Sequence, residues 1–141
     1  MQRRDISLQA GPSPLSRDIL FTVMSLRFFW VLNLLLGLIF WFGWVQASGV
    51  PLAIHIALGS LVVLSLWYLG LAASRLRVHG MPTAALFIGV LLVLAGLGQL
   101  YFGWWQGLPA AIVHLVLALA AIGVGEGMVG SMRRAAARPR I

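Results

Sequence analysis

The sequence predicts an all-α integral membrane bundle of four helices, built from two tandem two-helix repeats with both termini cytoplasmic. Three observations carry that expectation. The chain is 61% hydrophobic and 9% charged, with a mean hydropathy of +0.98, outside the range of soluble domains. Four apolar stretches, near residues 24–44, 52–74, 83–104 and 109–131, each reach the roughly 20 residues a helix needs to cross about 30 Å of hydrocarbon. All ten basic residues are arginines, at 3, 4, 17, 27, 75, 77, 133, 134, 138 and 140, and none falls in the segments 45–51 and 105–109. By the positive-inside rule the termini and the middle loop then face the cytoplasm, in the inner (plasma) membrane of a prokaryote. The net charge of +7 therefore reads as topology signal and contact with anionic membrane lipid rather than as a nucleic-acid surface.

The elements follow in order. Residues 1–18 are polar and turn-rich, as expected of a flexible cytoplasmic arm ahead of a transmembrane domain over 19–132. Ser16, before Arg17-Asp18, is placed to cap a helix start. The segment Ile19–Leu26 is either an interfacial turn or the first turns of helix one, and Arg27 is expected to snorkel to the inner surface, the alternative being a functional charge inside the membrane. The first apolar stretch is too long, and lacks the small-residue cleavage site, for a removable signal peptide. Pro51, Pro82 and Pro109 sit where proline is tolerated, in the first turns of helices two, three and four. Residues 133–141 form a basic tail expected to leave the membrane.

The chain repeats itself. Phe42-Gly43-Trp44-Val45-Gln46 recurs sixty positions on as Phe102-Gly103-Trp104-Trp105-Gln106, and each copy leads into a turn ending in proline, at Pro51 and Pro109. A single histidine follows each proline, His55 in the first repeat (24–74) and His114 in the second (83–131). Because each repeat has two helices, the copies enter the membrane in the same direction, related by a pseudo-two-fold axis along its normal. Helix two then stands opposite helix four.

His55 is four residues past Pro51 and His114 five past Pro109, so each lies about 6–8 Å along its helix, inside the hydrocarbon. An ionisable group there is a functional hypothesis and normally faces the bundle interior. Diagonal helices in a square bundle stand roughly 11–14 Å apart, from neighbour spacings of about 8–10 Å. Two imidazoles and two metal–nitrogen bonds of about 2 Å fill such a gap. The pair is read as two ligands of one flat metal cofactor, a single non-covalent heme b; a proton-linked or structural pair is the other reading. Gly59 and Ala118, one turn beyond the histidines on the same faces, are small enough to let a macrocycle approach. Gly37, Gly43, Gly96, Gly98 and Gly103 could serve the same end or ordinary membrane-helix packing. Gln46 and Gln106 could bind heme propionates or cap the following helix. His79, beside arginines in the middle loop, reads as solvated.

Glu126 is the one acid within the apolar runs. It is expected to pair with Arg75, Arg77 or Arg133, or to serve a proton relay or a quinone head group. It lies twelve residues, about 18 Å, from His114 and so outside the same site. The aromatic clusters at 41–44 and 101–105 match an interfacial belt. No cysteine occurs, which excludes disulfides, thiolate metal sites, iron–sulfur clusters and covalent heme attachment in this chain.

The order of apolar hairpin and outer histidine, twice over, with Pro51-Leu52-Ala53-Ile54-His55-Ile56-Ala57-Leu58-Gly59 on helix two, resembles one half of a heme A synthase. That family generally has eight helices in two four-helix halves, with histidines on the second and fourth helices of each, and it includes half-length members. The resemblance implies heme ligation by His55 and His114. The catalytic half of the family carries a glutamate three residues before the histidine of its second helix; this chain has Leu52 there, and the loop cysteines of many members are missing. The resemblance therefore points to the half that keeps a permanent heme b. Bacterial b561-type cytochromes are also similar, though they usually carry more histidines for a second heme. The expected function is electron transfer or heme handling for respiratory oxidase assembly, with a redox partner, an oxidase-assembly subunit or a quinone as candidate partners. The alternatives are a heme A synthase-like oxidase of a heme side chain and a cofactor-free accessory subunit.

Overall fold

The computed structural model describes residues 15–101 and 108–137. These form four helices: α1 (Arg17–Trp41), α2 (Gly49–Arg75), α3 (Met81–Tyr101) and α4 (Leu108–Ala136). All four are long and apolar enough to cross a membrane. The described residues contain no strand. The fold is thus the all-α membrane bundle expected from composition.

The ends of the helices follow from local chemistry. Ser16 caps α1, its hydroxyl accepting the Ile19 N–H at 3.4 Å, and Asp18 puts a carboxylate in the positive first turn. At the other end Gly43 takes a left-handed conformation (φ 70°), its N–H donating to the Phe40 carbonyl while Trp44 N–H reaches back to Ile39. That is a Schellman stop, in which the glycine avoids the Cβ clash of left-handed backbone. So Phe42-Gly43-Trp44 has a structural role as a helix terminator. The second copy, Phe102-Gly103-Trp104-Trp105-Gln106, lies outside the described residues.

α2 ends by the same bonds with a different residue. Arg77 N–H donates to Ser74 and Val78 N–H to Ala73, and the left-handed position is Arg77 itself (φ 56°). Val78 folds back onto the core. Gly80 (φ 79°) then redirects the chain into α3, whose first turn holds Pro82. α4 begins with Pro109 in its first turn and runs past the expected membrane boundary to Ala136, so that Arg133 and Arg134 lie in its last turn, where cations complement the helix dipole. The N-terminal residues 1–14 and the last four, 138–141, lie outside the described residues.

Consecutive helices pack as neighbours, and α4 closes against α1. The bundle is not square: α2 and α4 also touch across the middle, whereas α1 and α3 do not. The fully buried hydrophobic side chains sit at one end. Leu26 of α1, Leu66, Leu69 and Ala73 of α2, Ala85 of α3, and Ala121, Met128 and Met132 of α4 form its centre. This is the half nearer the α2–α3 turn. Within lipid there is little hydrophobic drive between helices, so contact depends on close fit. Gly125 supplies one such fit, since a Cβ there would come within 2.7 Å of Leu26 Cδ2. Gly89 supplies the other, because any Cβ would collide with the Trp67 indole. Among the described residues, Ala110 is the only buried hydrophobic residue at the opposite end.

Candidate functional site: the histidine pair

That opposite end holds the histidines. His55 is six residues into α2 and His114 six residues into α4, about 9 Å along each helix. The contact of α2 with α4 turns their rings toward each other, with centroids 6.2 Å apart and planes at 42°. The Nδ1 atom of each ring is buried and has no hydrogen-bond partner. Phe40 of α1 meets His55 edge-on, centroids 5.5 Å apart.

Two glycines make room for the rings. A Cβ on Gly37 of α1 would stand 3.5 Å from His55 Cε1, and one on Gly96 of α3 would stand 3.9 Å from His114 Cε1. Fifty-nine residues separate Gly37 from Gly96, as they separate His55 from His114. The match between these spacings was legible in the sequence, yet composition alone leaves these glycines indistinguishable from Gly43 or Gly98.

The other residues singled out from the sequence have separate fates. Gly59 faces α1, and the space it leaves is taken by Asn33, whose Nδ2 would be 3.3 Å from a Cβ at 59. Ala118 offers its carbonyl to the Trp30 indole N–H at 2.8 Å. Gln46 is exposed in the α1–α2 turn, and the cap position of α2 is Ser48, so Gln46 does not cap that helix. Gln106 lies outside the described residues. His79 lies in the α2–α3 turn. Asn33 was not anticipated as a site residue; its signal was a single uncharged amide in an apolar helix, one turn before Gly37. Its Oδ1 is buried without a partner, like the two histidine nitrogens.

Glu126 is placed differently from the expectation. Its carboxylate accepts two hydrogen bonds from Arg27, Nε to Oε1 at 2.6 Å and Nη2 to Oε2 at 2.7 Å, rather than pairing with Arg75, Arg77 or Arg133. The cause is the α1–α4 seam: Leu26 seated on Gly125 and Trp30 bonded to Ala118 set Arg27 opposite Glu126. Arg27 thus reaches across to α4, and its side chain stays about half exposed (48%). The pair stands in the closed half, away from the histidines.

Among the described residues no cluster of three or more histidine, cysteine or acidic side chains could hold a metal ion. The histidine pair is a two-donor set. Comparison of the chain with protein-family models, with characterised proteins and with solved structures yields no match.

Proposed function

We propose that this multi-pass membrane chain binds one b-type heme through His55 and His114, for electron transfer or heme handling beside a respiratory oxidase. The observation that carries the reading is two imidazoles facing each other at matched depth, with ring centroids 6.2 Å apart and both Nδ1 atoms unpartnered. A direct ring-to-ring hydrogen bond of about 2.9 Å would bring two imidazole centroids to about 5 Å. Two metal–nitrogen bonds of about 2 Å, plus about 1.1 Å from each nitrogen to its ring centre, put them about 6 Å apart. The separation suits a shared metal atom and equally a plain ring contact, which spans about 4.5–7 Å, so the matched depth of two imidazole donors is what favours the metal.

The donor count points the same way. A bare ion bound by two imidazoles would be short of ligands, because structural and catalytic ions normally take three or four from protein. A heme supplies its own ring nitrogens to its iron and would be held by His55 and His114. Gly37 and Gly96 leave both rings uncrowded on the flanking helices, and among the described residues few apolar side chains are buried at this end. Bound there, a heme would supply one-electron redox chemistry at a potential set by its axial imidazoles, its burial and nearby hydrogen bonds. The chain's own work is to hold two neutral imidazoles in line and to exclude water. Leu52, in place of the glutamate of the catalytic heme A synthase half, disfavours oxidation of a heme side chain.

The test is a reduced-minus-oxidised optical spectrum of the detergent-purified protein beside His55→Ala and His114→Ala. A b-type alpha band at about one heme per chain, lost in both variants, is expected. A colourless protein from heme-replete cells, or a band that survives both substitutions, would overturn the proposal.

A further inference from the structure

We infer that the α1–α4 face docks a second copy of this chain, with Arg27 of each copy meeting Glu126 of the other across a two-fold axis along the membrane normal. The histidines play no part in this contact, so it stands whether or not the chain binds heme. The position of the ion pair is the starting point. Arg17 and Arg133, near the ends of α1 and α4, mark the nearer membrane surface. Arg27 lies ten residues inside the first and Glu126 seven inside the second, about 15 and 10 Å along their helices. At such depth charged groups normally face the bundle interior or a water-filled cavity. Here both side chains stay nearly half exposed at the α1–α4 seam.

The pair also has bonding capacity left over. A guanidinium carries five N–H donors and a carboxylate about four lone-pair sites. Nε and Nη2 each donate once, to Oε1 and Oε2, and among the described residues neither group has a further hydrogen-bond partner. About three donors and about two lone-pair sites therefore remain, and lipid tails can satisfy none of them.

Charge selects the occupant. The spare donors are on α1 and the spare acceptors on α4, side by side in one bonded pair. A half-turn about the membrane normal sets α1 of one copy opposite α4 of the other, so each guanidinium meets a carboxylate. Such a self-complementary contact closes at two copies. The four charges then alternate in sign and sum to zero. An apolar helix on this face would leave the spare groups unbonded, and an anionic lipid would answer one charge only.

The surface beside the pair admits a close neighbour. One turn from Glu126 toward the histidine end is Gly123, and one turn from Arg27 in the same direction is Val31; both are exposed. A Cβ at Gly123 would meet nothing within 4 Å, so packing inside the bundle does not account for that glycine. A small residue at such a place lets a helix from outside approach in lipid. In the two-fold arrangement Val31 of one copy comes to Gly123 of the other.

The chain has no cysteine, so introduced thiols report contacts directly. Differently tagged full-length Val31→Cys and Gly123→Cys chains are co-expressed and oxidised in native membranes. The mixed pair should cross-link and neither variant should cross-link to itself, because like helices lie on the diagonal of the dimer. Native mass spectrometry of the wild type should give two chains. Gly123→Leu, which fills open space in the single chain, should leave its helix content unchanged. It should weaken dimerisation about tenfold, as loss of about 1.4 kcal/mol of contact implies. Glu126→Gln should weaken it at least as much. A wild type that is a single chain, self cross-links equal to the mixed one, or a dimer indifferent to both substitutions would overturn the inference. So would cross-linking of Gly123→Cys to a different membrane protein in place of a second copy.

Discussion

Around Leu26, Leu66, Ala85 and Met128 the four helices close on one another, whereas around His55 and His114 only Ala110 among the described residues is a buried hydrophobic residue. The polar groups divide in the same way. In the closed half Arg27 and Glu126 satisfy each other, and just above them the Trp30 indole is bonded to Ala118. At the histidine end three buried polar atoms, on Asn33, His55 and His114, have no partner. (Trp67 Nε1, wedged against Gly89, is the exception in the closed half.) A bundle in lipid gains little from hydrophobicity between its helices, so its order must come from fit and from polar pairs. The closed half concentrates both. It acts as a clamp that sets the helix positions, and the other half then holds two imidazoles facing each other.

Substitutions that treat the halves differently test this division. Leu66→Ala, at a position with no exposure, should cost about 2–4 kcal/mol through the cavity it leaves. Leu58→Ala, half-buried at the histidine end, should cost under about 1 kcal/mol. Thermal unfolding in detergent measures both, and equal costs would erase the distinction. Next in size, Glu126→Gln leaves the Arg27 guanidinium without its carboxylate and should lose about 1 kcal/mol, since both side chains are nearly half exposed. The double variant Arg27→Leu/Glu126→Leu should recover most of that loss, because it leaves no unpaired charge behind. At the other end the sign reverses. In heme-free protein His55→Leu/His114→Leu should stabilise by about 1 kcal/mol, since two unpaired nitrogens disappear. The heme band should vanish with them. A destabilised double leucine would mean that the pair holds the bundle together, which is the structural role.

Much of this was legible in the sequence because it rests on period and position. Four apolar runs fix the class, proline marks helix starts, and a repeated histidine brings two like groups to one depth. What stayed hidden depends on which helix faces which. Glu126 was referred to the arginines at the loop and tail because these lie near in sequence or at the membrane edge; its partner Arg27 is ninety-nine residues away and is set by the α1–α4 seam. Neighbour spacings alone likewise imply the diagonal of a square. Contact of α2 with α4, made without any contact of α1 with α3, brings the rings within 6.2 Å. Asn33, a lone amide in an apolar helix, fills the space beside Gly59, and that contact too depends on which faces of α1 and α2 meet.

The smallest expected effect compares the two helix stops that frame α2. Gly43 and Arg77 hold the same left-handed position in the same pair of backbone bonds, at φ 70° and φ 56°. Left-handed backbone costs a residue with a Cβ roughly 1–2 kcal/mol. Gly43→Ala should therefore lose about 1 kcal/mol, with nothing within 4 Å of the new methyl to add a clash. Arg77→Gly runs the other way, relieving that cost but giving back about 0.5–1 kcal/mol through the freer unfolded chain, for a net gain of about 0.5 kcal/mol. A glycine would thus be the better stop at 77, and keeping arginine there favours a role for its charge outside the fold. If so, Arg77→Gly should be at least as stable as the wild type yet insert with weaker topological bias, read by the protease accessibility of the α2–α3 turn in inverted vesicles. A loss of stability instead would show that the arginine side chain holds the turn.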